Sequence, residues 1–129
     1  MVDWNKQYRV REEAARVARK AREEEAKTAG IRLQDAIIGN FYRVTALYSG
    51  DTDVFEYTGC QGSHDHEAYG VPVGATGYFK HPVYNCHYLH STSQLEPGGR
   101  YAQWFMVPIT PEEEARREKE HKAYAASLA

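Results

Sequence analysis

Residues 37–59 read IIGNFYRVTALYSGDTDVFEYTG, and the fold class turns on this stretch. Two runs rich in Ile, Val, Phe, Tyr and Thr flank Ser49-Gly50-Asp51, where the glycine admits backbone angles closed to other residues. A run, a tight polar turn and a second run spell an antiparallel hairpin. The same composition continues downstream. Strands are expected near Ile37–Tyr48, Val54–Gly59, Val71–Lys80, Val83–His90 and Tyr101–Ile109, with a further turn at Glu96-Pro97-Gly98-Gly99. Five short strands with short connections predict a small antiparallel β-barrel or rolled sheet, of SH3-like type, over residues 37–109.

On either side the pattern changes to helix. From Asp3 to Ala29 there is no Gly or Pro, Ala, Glu, Arg and Lys dominate, and Glu12–Arg16 and Glu23–Lys27 stand four apart in the favourable order. Gly30 is a natural stop. Thr110-Pro111-Glu112-Glu113 opens a second helix, running to about Ser127, with Thr110 as cap, Pro111 in the first turn and Glu113 closing a capping box. Glu113–Arg117 and Glu118–Lys122 repeat the spacing of four. Beyond Trp4, Tyr8, Val10 and Val17 the first helix has only alanines on its apolar side, and the second has only Tyr124 and Leu128 as large apolar residues. Both faces are too thin to be core helices, so the expectation is an α+β protein, one domain over residues 1–129, whose terminal helices dock on copies of themselves or on a larger complex.

Composition narrows the class. The chain has 129 residues, 42% hydrophobic and 26% charged, with a net charge of -2, which is globular composition without an overall basic field. Arg9, Arg11, Arg16, Arg19, Lys20 and Arg22 form a basic stripe diluted by glutamates, so nucleic acid or nucleotide binding on a small barrel is a lesser expectation. No run of apolar residues is long enough for a signal peptide or a spanning helix, and the expected compartment is the cytoplasm, away from membranes.

Five of the six histidines and both cysteines fall between positions 60 and 90. Cys60-Gln-Gly-Ser-His64 and Cys86-His-Tyr-Leu-His90 share one spacing, and Cys60, His64, His66, Cys86 and His90 are the candidate ligands of a zinc ion, structural or hydrolytic. Within one strand, however, Cys86 and His90 stand about 13 Å apart at about 3.3 Å per residue. A second grouping takes Cys60, His64 and His66 with His81, Cys86 or His87. The bland alternative makes Cys60 and Cys86 buried small hydrophobes and the histidines surface or interface polar groups; reduced thiols fit a cytoplasmic chain, and a Cys60–Cys86 bridge would go with export. His64-Asp65-His66-Glu67 resembles the His-x-His segment of cupins, which would imply a metal on a double-stranded β-helix, but Glu67 follows His66 without the intervening residues that pattern needs. No Gly-x-Ser-x-Gly, Gly-x4-Gly-Lys or His-Glu-x-x-His occurs.

The tyrosines point elsewhere. Tyr42, Tyr48, Tyr57, Tyr69, Tyr78, Tyr84, Tyr88 and Tyr101 are too many for the interior of one small sheet, so part of the set faces outward. Exposed Tyr beside His marks a recognition surface, with His64, His66, Tyr69, Tyr84, Tyr88 and Trp104 as its expected residues and the loop between Gly59 and Gly70 as its centre. The leading functional expectation is a non-enzymatic binding or assembly protein, a homo-oligomer or part of a larger complex, in the style of phage accessory proteins.

Overall fold

The computed structural model describes residues 3–61, 67, 68, 71, 72, 75–84 and 86–128. The opening hairpin forms as β1, Phe41–Ala46, and β2, Thr52–Gln61. Tyr42 stands opposite Phe55 and Val44 opposite Asp53, which puts their side chains on one face and those of Phe41, Arg43 and Thr45 on the other. Gly50 closes the turn with φ 78°, and its N–H donates to the Ala46 carbonyl at 3.0 Å. β1 is shorter than the expected strand because Ile37–Asn40 is itself a turn. The Asn40 N–H donates to the Ile37 carbonyl at 3.1 Å, and Gly39 supplies a φ of 91°.

A short hairpin of β3, Glu67–Ala68, and β4, Val71–Pro72, forms a separate two-stranded sheet. The single strand expected over Val71–Lys80 is therefore two, since β5, Thr76–Lys80, belongs to the main sheet beside β2. β6, His87–Ser91, pairs with β5. The strand expected from Val83 starts late because residues 82–84 turn around a side chain. His81 Nδ1 accepts from the backbone N–H groups of Val83 and Tyr84, both at 3.1 Å. β7, Trp104–Pro108, then returns to the far side of β1, giving an antiparallel sheet in the order β6-β5-β2-β1-β7.

The sheet rolls. Flat, it would hold its two edge strands about 19 Å apart at roughly 4.8 Å per strand. Instead His90 of β6 and Trp104 of β7 stack with ring centroids 4.6 Å apart. Among the described residues no ladder joins these edges, so the sheet is not closed into a barrel. A single helical turn, α2, Thr92–Leu95, spans the opening instead. The Thr92 N–H donates to the Ala75 carbonyl and the Gln103 N–H to the Gln94 carbonyl, each at 2.9 Å.

The rolled inner face packs Tyr42, Val44, Phe55, Tyr57, Phe79 and Met106 against Leu95 of α2 and Leu33 of a 3-10 turn, Leu33–Asp35. Each such side chain taken wholly out of water contributes about 1.5–3 kcal/mol. On the outer face Leu47, Phe105 and Val107 meet Ala26, so β7 is buried on both sides.

The outer face carries the two long helices. α1, Trp4–Ala29, is capped by Asp3, whose carboxylate accepts from the Lys6 N–H at 3.0 Å, and it ends at Gly30. A Cβ there would strike the Ala26 carbonyl oxygen. α3, Pro111–Ser127, starts at Thr110, whose hydroxyl accepts from the Glu113 N–H at 3.2 Å. The expected ion pairs are redrawn. Arg16 holds both carboxylate oxygens of Glu13 at 2.6 and 2.7 Å, Arg19 pairs with Glu23 at 3.0 Å, and Glu12 accepts from the Tyr8 hydroxyl. No helix among the described residues is long and apolar enough to cross a membrane.

Candidate functional site

α1 is held by its C-terminal half alone. Arg22 donates through Nε to the Leu47 carbonyl and through Nη2 to the Tyr48 carbonyl, both at 2.8 Å, and the Arg19 guanidinium lies 3.6 Å from the centre of the Tyr48 ring. Ala26 completes the seat against Leu47 and Phe105. Every residue from Asp3 to Ala18 is exposed, a stretch of roughly 20 Å at 1.5 Å per residue. Within α1, Val10, Ala14, Val17 and Ala21 recur at steps of four, three and four, which makes one stripe. At about 100° per residue, that stripe lies roughly 130° around the helix from Arg22 and Ala26. The body therefore grips one side of α1 and leaves the apolar stripe open along its length. It is lined by Lys6 and Glu13 on one flank and Ala18 on the other, forming a shallow groove.

Arg43 ties the helices to the sheet. Its Nη2 donates to Glu25 of α1 at 2.9 Å, and its Nε lies 3.8 Å from Glu113 of α3. Next to it, the Arg117 guanidinium sits 3.8 Å from the centre of the Phe41 ring. The contact side of α3 is thus Glu113, Arg117, His121 and Tyr124, with His121 Nδ1 2.9 Å from the Pro82 carbonyl and Tyr124 against Tyr84. Polar and aromatic groups at helical spacing seat a helix whose apolar content is too small to do so. Neither Glu113 nor Arg117 keeps the partner its sequence spacing suggests.

The expected recognition residues separate. Tyr84 is exposed in the turn after β5, between the rings of Tyr124 and His81. Tyr88 is half open, with its ring edge-on to Phe55 at 5.0 Å, and Leu89 beside it is exposed. Alternation along β6 puts Tyr88 on the same face as His90 and puts exposed His87 and Leu89 on the opposite one, so the exposed residues at the β5–β6 end are divided between the two faces. Trp104 is not among them, because it is half-buried against His90 at the seam of the roll. His64, His66 and Tyr69 lie outside the described residues.

His81 and His90 have structural duties. His81 is buried and spends both nitrogens, Nδ1 on two backbone donors and Nε2 on Asp53 Oδ2 at 2.9 Å. That leaves no lone pair for a metal ion. His90 is buried between Phe79 and Trp104, its Nδ1 has no hydrogen-bond partner, and burial holds its pKa below the ordinary histidine value. Cys86 is exposed, with its thiol 3.7 Å from the Tyr84 carbonyl, and Cys60 is exposed at the end of β2. No disulfide joins the two cysteines. Burial above all, and then a hydrogen bond with Cys60, push the Tyr57 phenol above its ordinary pKa. Among the described residues no three His, Cys, Asp or Glu side chains converge as metal ligands.

Arg43 and Asp53 are residues that sequence reasoning did not single out, and it named Val10 and Val17 without reading the register that joins them to Ala14 and Ala21. Only the stripe left a readable signal, its three-four spacing. Compared with family models, with curated proteins and with solved structures, the chain finds no match, so its function has to be read from these surfaces.

Proposed function

We propose that this chain is a non-enzymatic assembly protein, in which the rolled sheet is a rigid body, α1 is a docking element, and the exposed tyrosines Tyr84 and Tyr88 at the β5–β6 end meet a further partner. One observation carries the reading: half of a 26-residue amphipathic helix stands exposed while the other half is firmly seated. A helical stretch as short as the exposed half, about 15 residues, is marginal in water on its own, so its stability depends on what covers it. The body itself we read as a partly open SH3-like barrel. This is supported by the meander of β1, β2, β5 and β6 and by β7, which crosses back beside β1 after a helical turn.

Native mass spectrometry of the full, untagged chain tests the reading. The expected spectrum is a metal-free assembly of two or more chains. A monomer carrying one zinc ion per chain would replace this reading with that of a metalloprotein built on the Cys60–His90 region.

A further inference from the structure

We infer that the open stripe of α1 receives α1 of a second copy of this chain, the two helices running antiparallel over their whole length. The inference rests on the assembly reading and gives it a partner, a register and a polarity.

The stripe is complementary to itself. In a two-helix coil the positions pointing at the partner alternate in steps of three and four, and here they are Asp3, Gln7, Val10, Ala14, Val17, Ala21, Glu24 and Thr28. All are exposed, so the seat of α1 on the sheet blocks none of them. Antiparallel packing sets the two kinds of position against each other. In the register of complete overlap, Val17 meets Ala14 of the second copy and Val10 meets Ala21. Every valine then faces an alanine, which fills the contact evenly and lets the backbones approach closely. The outermost layers pair Gln7 with Glu24 and Thr28 with Asp3, polar groups that can hydrogen-bond where water enters.

Charge supports the same register. Beside the stripe lie Lys6, Glu13, Lys20 and Lys27 on one flank and Trp4, Arg11, Ala18 and Glu25 on the other. In the overlapping antiparallel pair, Glu13 meets Lys20 of the second copy, twice by symmetry, at the centre of the coil. Lys6 meets Lys27 only at its ends. Sliding by one heptad one way puts Glu13 against Glu13 and sets Ala21 opposite Asp3; sliding the other way puts Lys20 against Lys20 and sets Ala14 opposite Glu24. Turning the helices parallel puts Val on Val and Ala on Ala, and brings Lys6 against Arg11. Arg22 and Ala26 grip the body on the side of the helix away from the stripe and Arg43 holds Glu25 at one flank, so the body borders the coil without covering the stripe, and antiparallel pairing places the two rolled sheets at opposite ends.

Sedimentation equilibrium of the full chain and of three single variants tests the inference. The wild type is expected to dimerise, and Val17→Asp to weaken dimerisation by about a hundredfold or more while near-UV circular dichroism stays that of the folded body. Glu13→Lys and Lys20→Glu are each expected to weaken it by about threefold to tenfold, and an equimolar mixture of the two to recover wild-type affinity. Dimerisation undiminished in Val17→Asp would overturn the inference and leave the assembly reading standing, with its interface elsewhere. A mixture no tighter than its components would overturn the antiparallel register. A wild type that stays monomeric at about 100 μM would overturn self-association through α1 altogether.

Discussion

His90 sits on the inner face of the sheet, opposite Gly77 and pressed between the rings of Phe79 and Trp104. Burial disfavours its charged form, so the folded protein holds the imidazole neutral to lower pH than the unfolded chain does. The unfolded state takes up its proton near the ordinary value of about 6.5, and as pH falls through that point it gains a proton the folded state refuses. Stability is therefore complete above about pH 6.5 and declines below it. Urea unfolding should show a lower midpoint at pH 5 than at pH 7.5, and His90→Leu should shrink that difference relative to wild type. Gly77 is the other half of this arrangement. A Cβ there would lie 2.6 Å from Leu33 Cδ1, and Leu33 is fully buried with nowhere to move. Gly77→Ala should cost about 1–3 kcal/mol of unfolding free energy, measured by the same titration. Sequence placed Cys60 and His90 among possible ligands by their matching spacing. It could not show that His90 turns into an aromatic seam, because that depends on the roll bringing β6 to β7.

Elements were legible where their causes are local. Gly30 and Thr110 each act within four residues of themselves, and α1 ends and α3 begins where those residues say. The strands were found in kind and misplaced at their ends, because distant partners decide the ends. β6 starts at His87, and not at Val83, because the His81 ring is aimed by Asp53, 28 residues earlier. The same holds for the seat of α3. Glu113 stands where it could serve Arg117, yet it faces Arg43 across the sheet, and its Oε2 is buried without a hydrogen bond. Arg43→Met keeps the length of the stem and removes the charge, leaving Glu113 and Glu25 without their shared cation. The expected loss is about 1–2 kcal/mol, smaller than for a fully buried pair because water reaches part of the guanidinium. Chemical denaturation gives the magnitude, and amide exchange in α3 should rise before that of the sheet.

At the scale of the whole molecule, the α+β division and the unburied helices could be read from where apolar side chains are plentiful and where they are scarce. The degree of closure could not, since five strands can lie flat, roll or seal, and rolling is separated from lying flat by the contact of His90 with Trp104 and by the α2 turn that spans the opening. The imbalance between body and helix has a measurable consequence. The sheet is stabilised by side chains buried on both faces, while residues 4–18 gain nothing from the body and, unpartnered, form a helix too short to be firm on its own. Antiparallel pairing would lay the second copy along all of it. Amide exchange followed at about 1 μM and about 100 μM should therefore diverge in one region: residues 4–18 slow several-fold as dimer forms, while β2 and β5 exchange at the same rate at both concentrations. Equal exchange of α1 at both concentrations would mean that its exposed half draws no stability from a second copy.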